Sequence, residues 1–378
     1  METTAQHLIH LRQLLHANPE ISGDEKNTAS YISSFIKKLN PEQMITGVGG
    51  HGILVLFDSG KSGPTLLFRA DIDALPIQEI NEFPHRSVVD GVSHKCGHDG
   101  HTTILCGLAE RLAEEKPSTG KVYLLFQPAE ETGEGAEMVV KDPNYNITPD
   151  YVFALHNLPG YETGNIVVKD GLFSAAVNSI IIKLKGKTAH AAEPEFGHNP
   201  ANAISEIIAV ADKMNHNFPE AENFQLATPV HINMGTTAYG ISAGDAELHY
   251  TLRCWDNDRL RKLESAIIHE SAAIAAKYDL KFDHEFTQTF YANNNSKEAS
   301  DLVRQSAIQN GYTVEEKNIP FKWAEDFGYF TSQYKGCMFG LGAGKDHPAL
   351  HNPDYDFPDS IIETGVRIFH SITKNLLN

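Results

Sequence analysis

The chain has 378 residues, 41% of them hydrophobic and 21% charged, and a formal net charge of −18. That length points to two domains at about 150 residues each, and the acidity sets aside nucleic acid and anionic membrane as main partners because like charges repel. No run approaches the ~20 apolar residues of a membrane span, the Met1-Glu-Thr-Thr-Ala start lacks the basic and apolar regions of a secretory leader, and four cysteines make no disulfide framework, so the expected location is the cytoplasm.

In chain order, Leu8, Leu11, Leu14 and Leu15, then Ile32, Phe35, Ile36 and Leu39, recur at helical spacing on either side of a break at Asn18-Pro19 and Gly23-Asp24. Strands are expected at 52–57 and 65–69, joined by the turn 58–63. A loop rich in His and Gly leads into a helix over 102–115, the strand 121–126, a helix near 134–140 and the strand 151–155, which runs into His156. Apolar strands alternating with helices indicate an α/β layer around a largely buried sheet. From Ala176 the pattern becomes strand 177–184, helix 199–214, an alternating strand 247–252, helix 258–277 and strand 280–286. The pattern resembles a ferredoxin-like two-layer insertion (strand, helix, strand, strand, helix, strand), although only one of its two middle strands stands out. The polar run Tyr291-Ala-Asn-Asn-Asn-Ser296 reads as a return linker, after which α/β patterning resumes. The expectation is therefore a discontinuous first domain (1–175 and 290–378) interrupted by a second (176–289).

Two short runs concentrate metal-binding chemistry: His94-Lys-Cys-Gly-His-Asp-Gly-His101 and Gln127-Pro-Ala-Glu-Glu131. In an extended loop Cys96 and His98 would point the same way and could converge on one ion; a polar loop with a free thiol reads equally well. Glu130 and Glu131 are either two solvated acids, or one ligand beside one proton acceptor for an ion-activated water. His156 at a strand end and His351 before Asn-Pro each fit a structural histidine or a ligand. Asp71 and Asp73 fit either turn formers or carboxylates that fix a ligand imidazole from behind. Their common placement at strand ends, where open α/β sheets put their sites, favours the joint reading.

These segments, taken in order with Gly186-Lys-Thr-Ala-His-Ala-Ala192, Glu325-Asp-Phe327 and His351–Phe357, resemble the metal-dependent amidohydrolases of the aminoacylase and carboxypeptidase superfamily. The closest branch holds hippurate hydrolases, N-acetyldiaminopimelate deacetylases and auxin-conjugate hydrolases. The resemblance implies a mixed-sheet, zinc-peptidase-like catalytic domain with an inserted lid that also dimerises. It implies two divalent ions, zinc or manganese with cobalt or nickel as further options, on Cys96, His98, Glu131, His156 and His351. Cys96 would bridge, His98 and His156 serving one ion and Glu131 and His351 the other. Glu130 matches the general base, and His190 a residue that reaches the substrate carbonyl. Arg253 matches a lid arginine, but Gly240 stands where related lids carry an Asn, which leaves Tyr239, Ser242 or Asn233 to substitute. The implied reaction is hydrolysis of N-acyl amino acids. The alternatives are a dipeptidase or aminopeptidase on the same scaffold and a catalytically silent metal-binding sensor, against which the intact Glu130-Glu131 pair argues.

Overall fold

The structure, a computed structural model, describes residues 4–378. The first stretch carries α1 (Thr4–Ala17), α2 (Lys26–Lys37), β1 (Gln43–Val48), β2 (Gly52–Asp58), β3 (Thr65–Asp71), α3 (His98–Glu114), β4 (Lys121–Gln127), α4 (Gly135–Lys141), β5 (Tyr151–Pro159), β6 (Ile166–Val168) and β7 (Gly171–Ser174). Next come β8 (Ala176–Lys185), β9 (Ala189–His190), α5 (Ala201–Lys213), β10 (Gln225–Met234), β11 (Ile241–Ser242), β12 (Asp245–Cys254), α6 (Asn257–Lys277) and β13 (Lys281–Phe290). The chain ends with β14 (Asn293–Asn295), α7 (Lys297–Gln309), β15 (Val314–Glu316), α8 (Gly328–Thr331), β16 (Lys335–Gly344) and α9 (Ile362–Leu377).

Two compact units emerge. The first comprises the residues up to Phe173 together with Asn293–Asn318 and Glu325–Asn378; the second comprises Ser174–Ala292 and Ile319–Ala324. The last six residues depart from the expectation that everything after 290 belongs with the first domain. They group with the second because Ala175 N donates to the Phe321 carbonyl at 3.0 Å and Ser174 bridges Phe321 in parallel.

In the first unit an eight-stranded mixed sheet runs β1-β2-β4-β3-β5-β16-β6-β15. Its centre is parallel: β3 pairs with β4 and β5, and β5 with β16. These strands are apolar on both faces (Leu66, Leu67 and Phe68; Leu124, Leu125 and Phe126) because helices cover the sheet. Phe68 packs against Phe153 at 5.5 Å and against Phe369 of α9 at 5.0 Å. Each such burial contributes about 1.5–3 kcal/mol. Parallel packing brings the C-terminal ends of β3, β4, β5 and β16 to one edge, and the motifs of interest lie at or beyond those ends.

The second unit is a four-stranded antiparallel sheet, ordered β10-β12-β8-β13. Ile180, Ile182, Leu184, Leu248, Tyr250 and Leu252 are buried on one face, with Leu260, Leu263 and Ile267 of α6 and Ala203 and Ile207 of α5. The elements follow strand, helix, strand, strand, helix, strand, with the fourth strand beside the first. Among the described residues no helix is long and apolar enough to cross a membrane.

Candidate metal centre

β3 ends at Asp71, and the chain continues through Ile72 and Asp73, both buried. β4 ends at Gln127, and Pro128-Ala129-Glu130-Glu131 turns sharply beyond it, with Ala129 at φ +53°. Gly133 N and Gly135 N close that turn on the Glu130 and Ala129 carbonyls at 2.8 and 3.0 Å. His156 lies within β5, and His351 follows β16, its φ of +66° tethered by its own N–H to the Lys95 carbonyl at 2.7 Å. Left-handed backbone at non-glycine residues is costly and tends to collect at functional sites.

Cys96 and His98 converge, though by a route other than an extended loop. Gly97 takes φ +93° and His98 is already the first residue of α3. A Cβ at Gly97 would also lie 2.6 Å from Asn157 Oδ1. Only glycine gives the chain both the conformation and the room.

Two three-donor groups share the sulfur: Cys96, His98 and His156, and Cys96, Glu131 and His351, the donor atoms of each within 4.8 Å of one another. Cys96 Sγ stands 3.5 Å from His156 Nε2. His98 Nε2 is 3.7 Å from Glu131 Oε1, and His351 Nε2 is 3.8 Å from Glu131 Oε2. Glu130 Oε2 is 3.8 Å from His98 Nε2. Ligand bonds of ~2.0–2.3 Å at tetrahedral angles hold neighbouring donors roughly 3.3–3.8 Å apart, so the Cys96–His156 and Glu131–His351 separations, each inside one three-donor group, suit an ion. His98 Nε2 and Glu131 Oε1 are buried without a hydrogen-bond partner among the described residues, as donors reserved for a cation would be.

The orientation of His98 is set from behind. Its Nδ1 donates to the Asp73 carbonyl at 3.0 Å and to Asp73 Oδ1 at 3.1 Å, which turns Nε2 towards Cys96 and Glu131. His156 Nδ1 donates to the Asn157 carbonyl at 2.8 Å, leaving Nε2 towards the sulfur. Asp71 does something else: Oδ1 accepts from His101 Nδ1 at 2.7 Å and Oδ2 from Arg69 at 2.6 Å.

The electrostatics demand positive charge at this spot. Burial, followed by Glu325, Glu131 and Asp326, pushes the Glu130 carboxyl well above the usual range. Burial also lifts Glu131, reinforced by Asp73 and Asp71 against the pull of His98. Burial and the two neighbouring glutamates raise the Cys96 thiol. Against burial, Asp71, Asp73 and Glu131 lift His98 to about 10. A proton or a metal cation at His98 Nε2 answers the same field, and the donor chemistry of thiolate, imidazole and carboxylate fits a divalent ion.

Several buried partners carry little sequence signal. Arg69 bonds Asp71, Glu325 and Asp326, and Gln127 Nε2 donates to both oxygens of Asp326 at 2.9 and 2.8 Å. Asp326 N in turn donates to Glu130 Oε1 at 3.4 Å. His101 Nε2 meets Asn157 Oδ1 at 2.5 Å, and Asn157 Nδ2 donates to the Tyr355 hydroxyl. His101, Gln127, Glu325-Asp326 and Tyr355 lie inside the runs that carry the resemblance, but nothing in those runs tells which of them pair.

The remaining candidates are in the second unit. His190 on β9 is exposed opposite Ile241 of β11, and the Gly240 carbonyl accepts from Ala191 N at 3.0 Å. Tyr239 is exposed, and Ser242 Oγ accepts from Asn199 Nδ2 at 2.9 Å. Arg253 donates to the Lys322 carbonyl at 2.7 Å. Asn233 pairs with Glu247, six positions along β12 from Arg253, a separation of roughly 20 Å. One small anion does not span both.

The family model for peptidase family M20/M25/M40 matches residues 67–375. N-acetyl-L-cysteine deacetylase of Bacillus subtilis is 31% identical, covering 100% of this chain and 90% of that protein. Hippurate hydrolase of Campylobacter jejuni is 30% identical, over 97% and 96%. A solved structure of a dinuclear metal-binding peptidase of the same family from Bacillus subtilis superposes with a TM-score of 0.84 at 25% identity, covering 99% of this chain and 98% of the other.

Proposed function

The chain belongs to peptidase family M20/M25/M40, and on that premise we propose that it hydrolyses the amide bond of N-acyl amino acids, releasing a carboxylic acid and a free amino acid. The observation that carries the reading is the sulfur of Cys96 shared by two three-donor groups, with a further carboxylate, Glu130, 3.8 Å from His98 Nε2. Relatives named as a deacetylase and a hippurate hydrolase, similar over nearly their whole length, support the substrate class.

Cys96, His98 and His156 would hold one divalent ion and Cys96, Glu131 and His351 a second, with thiolate and imidazole favouring zinc and the carboxylate tolerating manganese. Such ions supply Lewis acidity toward an amide carbonyl and make water a competent nucleophile near neutral pH. Glu130 takes the proton of the attacking water on a carboxylate oxygen and returns it to the departing nitrogen. Its burial and acidic neighbours make it hold that proton more firmly than an exposed glutamate would. Asp326 N–H, on Glu130 Oε1, keeps the side chain aimed. His190, Arg253 and Asn233 are the second unit's candidates for binding polar groups of the substrate.

The second unit also supports self-association. β10 is an edge strand whose Val230, Ile232 and Met234 are exposed, and an unpaired apolar edge invites a second copy. Four buried free cysteines fit a reducing cytoplasm.

The test is a panel of N-acetyl, N-benzoyl and longer N-acyl amino acids beside free-amine dipeptides, assayed with zinc, manganese, cobalt or nickel. Glu130→Gln should keep its metal and lose about 10²–10⁴-fold in kcat. Turnover of dipeptides alone would overturn the substrate class; an active Glu130→Gln would overturn the role given to Glu130.

A further inference from the structure

We propose that Glu25 is a positioning residue for Glu130, acting through the backbone amide of Ala129. Glu25 belongs to the connection between α1 and α2, far from every motif that carries the chemistry, yet its carboxylate is fully buried. Oε1 accepts two backbone donors, Gly23 N at 2.8 Å and Ala129 N at 2.8 Å. Oε2 has no hydrogen-bond partner among the described residues.

Ala129 is the residue whose φ of +53° aims Glu130 and Glu131. An alanine left to itself returns to negative φ, because its Cβ crowds the carbonyl in the left-handed region. The hydrogen bond that Ala129 N donates to Glu25 Oε1 opposes that return, and relaxation would swing the next residue, which is Glu130. The same connection grips the neighbouring loop as well. Ala74 N donates to the Glu20 carbonyl at 2.8 Å and Ser22 Oγ to Asp73 Oδ2 at 2.7 Å. Asp73 Oδ2 also accepts from Glu131 N at 3.0 Å. Residues 20–25 therefore fasten the loop after β3 and the turn after β4 to one another. Glu25 is the member of that clasp bonded next to the proton acceptor.

The inference rests on Glu130 being that acceptor, so its test runs beside Glu130→Gln in the full-length, metal-loaded protein with the best N-acyl substrate of the panel. Glu25→Gln keeps an oxygen for Ala129 N and puts its NH2 where Oε2 has no partner; it should stay within a few fold of wild-type kcat. Glu25→Ala should lose about 100-fold in kcat, the scale on which an ångström of misplacement acts, with KM within about threefold and metal content unchanged. Glu25→Met, which fills the volume without an acceptor, replaces the alanine variant if that variant fails to fold. An inactive Glu130→Gln with wild-type kcat in Glu25→Ala overturns the inference and leaves Glu130 in its role. So does a loss that lies in KM or metal content, or one that Glu25→Gln shares equally. An active Glu130→Gln overturns both.

Discussion

Asp73 receives donors from three distant parts of the chain: the His98 ring, the Ser22 hydroxyl and the Glu131 amide. One carboxylate thus orients a candidate ligand imidazole and the backbone of a candidate ligand carboxylate. Asp73→Ala should weaken metal binding by about 10–100-fold, measured by equilibrium dialysis against a buffered zinc series; unchanged affinity would show that His98 is held by packing alone. Asp71, two residues earlier and indistinguishable from it by type, bonds Arg69 and His101 and comes to 3.8 Å from His98 only at Nε2, on the other side of the ring from Asp73. The sequence marked both aspartates as candidates to back a ligand imidazole, yet which one faces His98 depends on where Ile72 turns the chain after β3. No local pattern carries that. Glu25 was illegible for a similar reason: its partner at Ala129 is 104 residues away, and a buried acid in a connecting turn looks like any solvated one.

At the scale of elements, the start of α3 decides whether the motif works. Gly97 places Cys96 before the helix and His98 inside its first turn, so sulfur and ring approach one point from different backbone directions. Gly97→Ala meets Asn157 at 2.6 Å and strains a φ of +93°. It should cost about 3 kcal/mol in urea-induced unfolding, the sum of an overpacked contact and a left-handed alanine, and it should lower metal uptake as well. A variant as stable as wild type would mean the helix start can slide. The helix was expected from residue 102 because two glycines and polar residues at 97–101 mask its first turn, although the apolar period beyond was plain. β10 was unreadable for a different reason. Val230, Ile232 and Met234 alternate with His231 and Asn233, but Pro229 inside the run argues against a strand except at a sheet edge, where β10 lies. Central strands such as β4, buried on both sides, were the easiest to read.

Within the first unit as a whole, the buried ion network around His16 ties together α1, α3 and the loops at 79–95 and 355–359. His16 Nδ1 donates to Asp99 at 2.8 Å and Nε2 to Glu79 at 3.1 Å, while Arg12 reaches Asp356 at 2.6 Å and Asp359 at 2.7 Å. Lys95 Nζ bonds both Glu79 and the Tyr355 carbonyl. Burial disfavours a charged His16, but the bonds to Asp99 and Glu79 outweigh it and lift the ring from 6.5 to about 9. A raised folded-state value means the imidazolium stabilises the fold fully below pH ~6.5, and that contribution fades as pH climbs through about 9. The shift corresponds to about 3 kcal/mol. Glu79 is shifted the other way: burial opposes its ionisation, yet the bonds from His16 and Lys95 bring it down to about 2. Its share is lost only in acid, as pH falls below the ordinary carboxylate range, so the two windows do not overlap. Urea unfolding of wild type and His16→Gln at equal metal concentration separates this effect from metal loss. Near pH 6 the variant should be less stable by about 3 kcal/mol, and the gap should close by pH 10. A gap that stays constant across that range would mean that His16 holds its partners as a neutral ring.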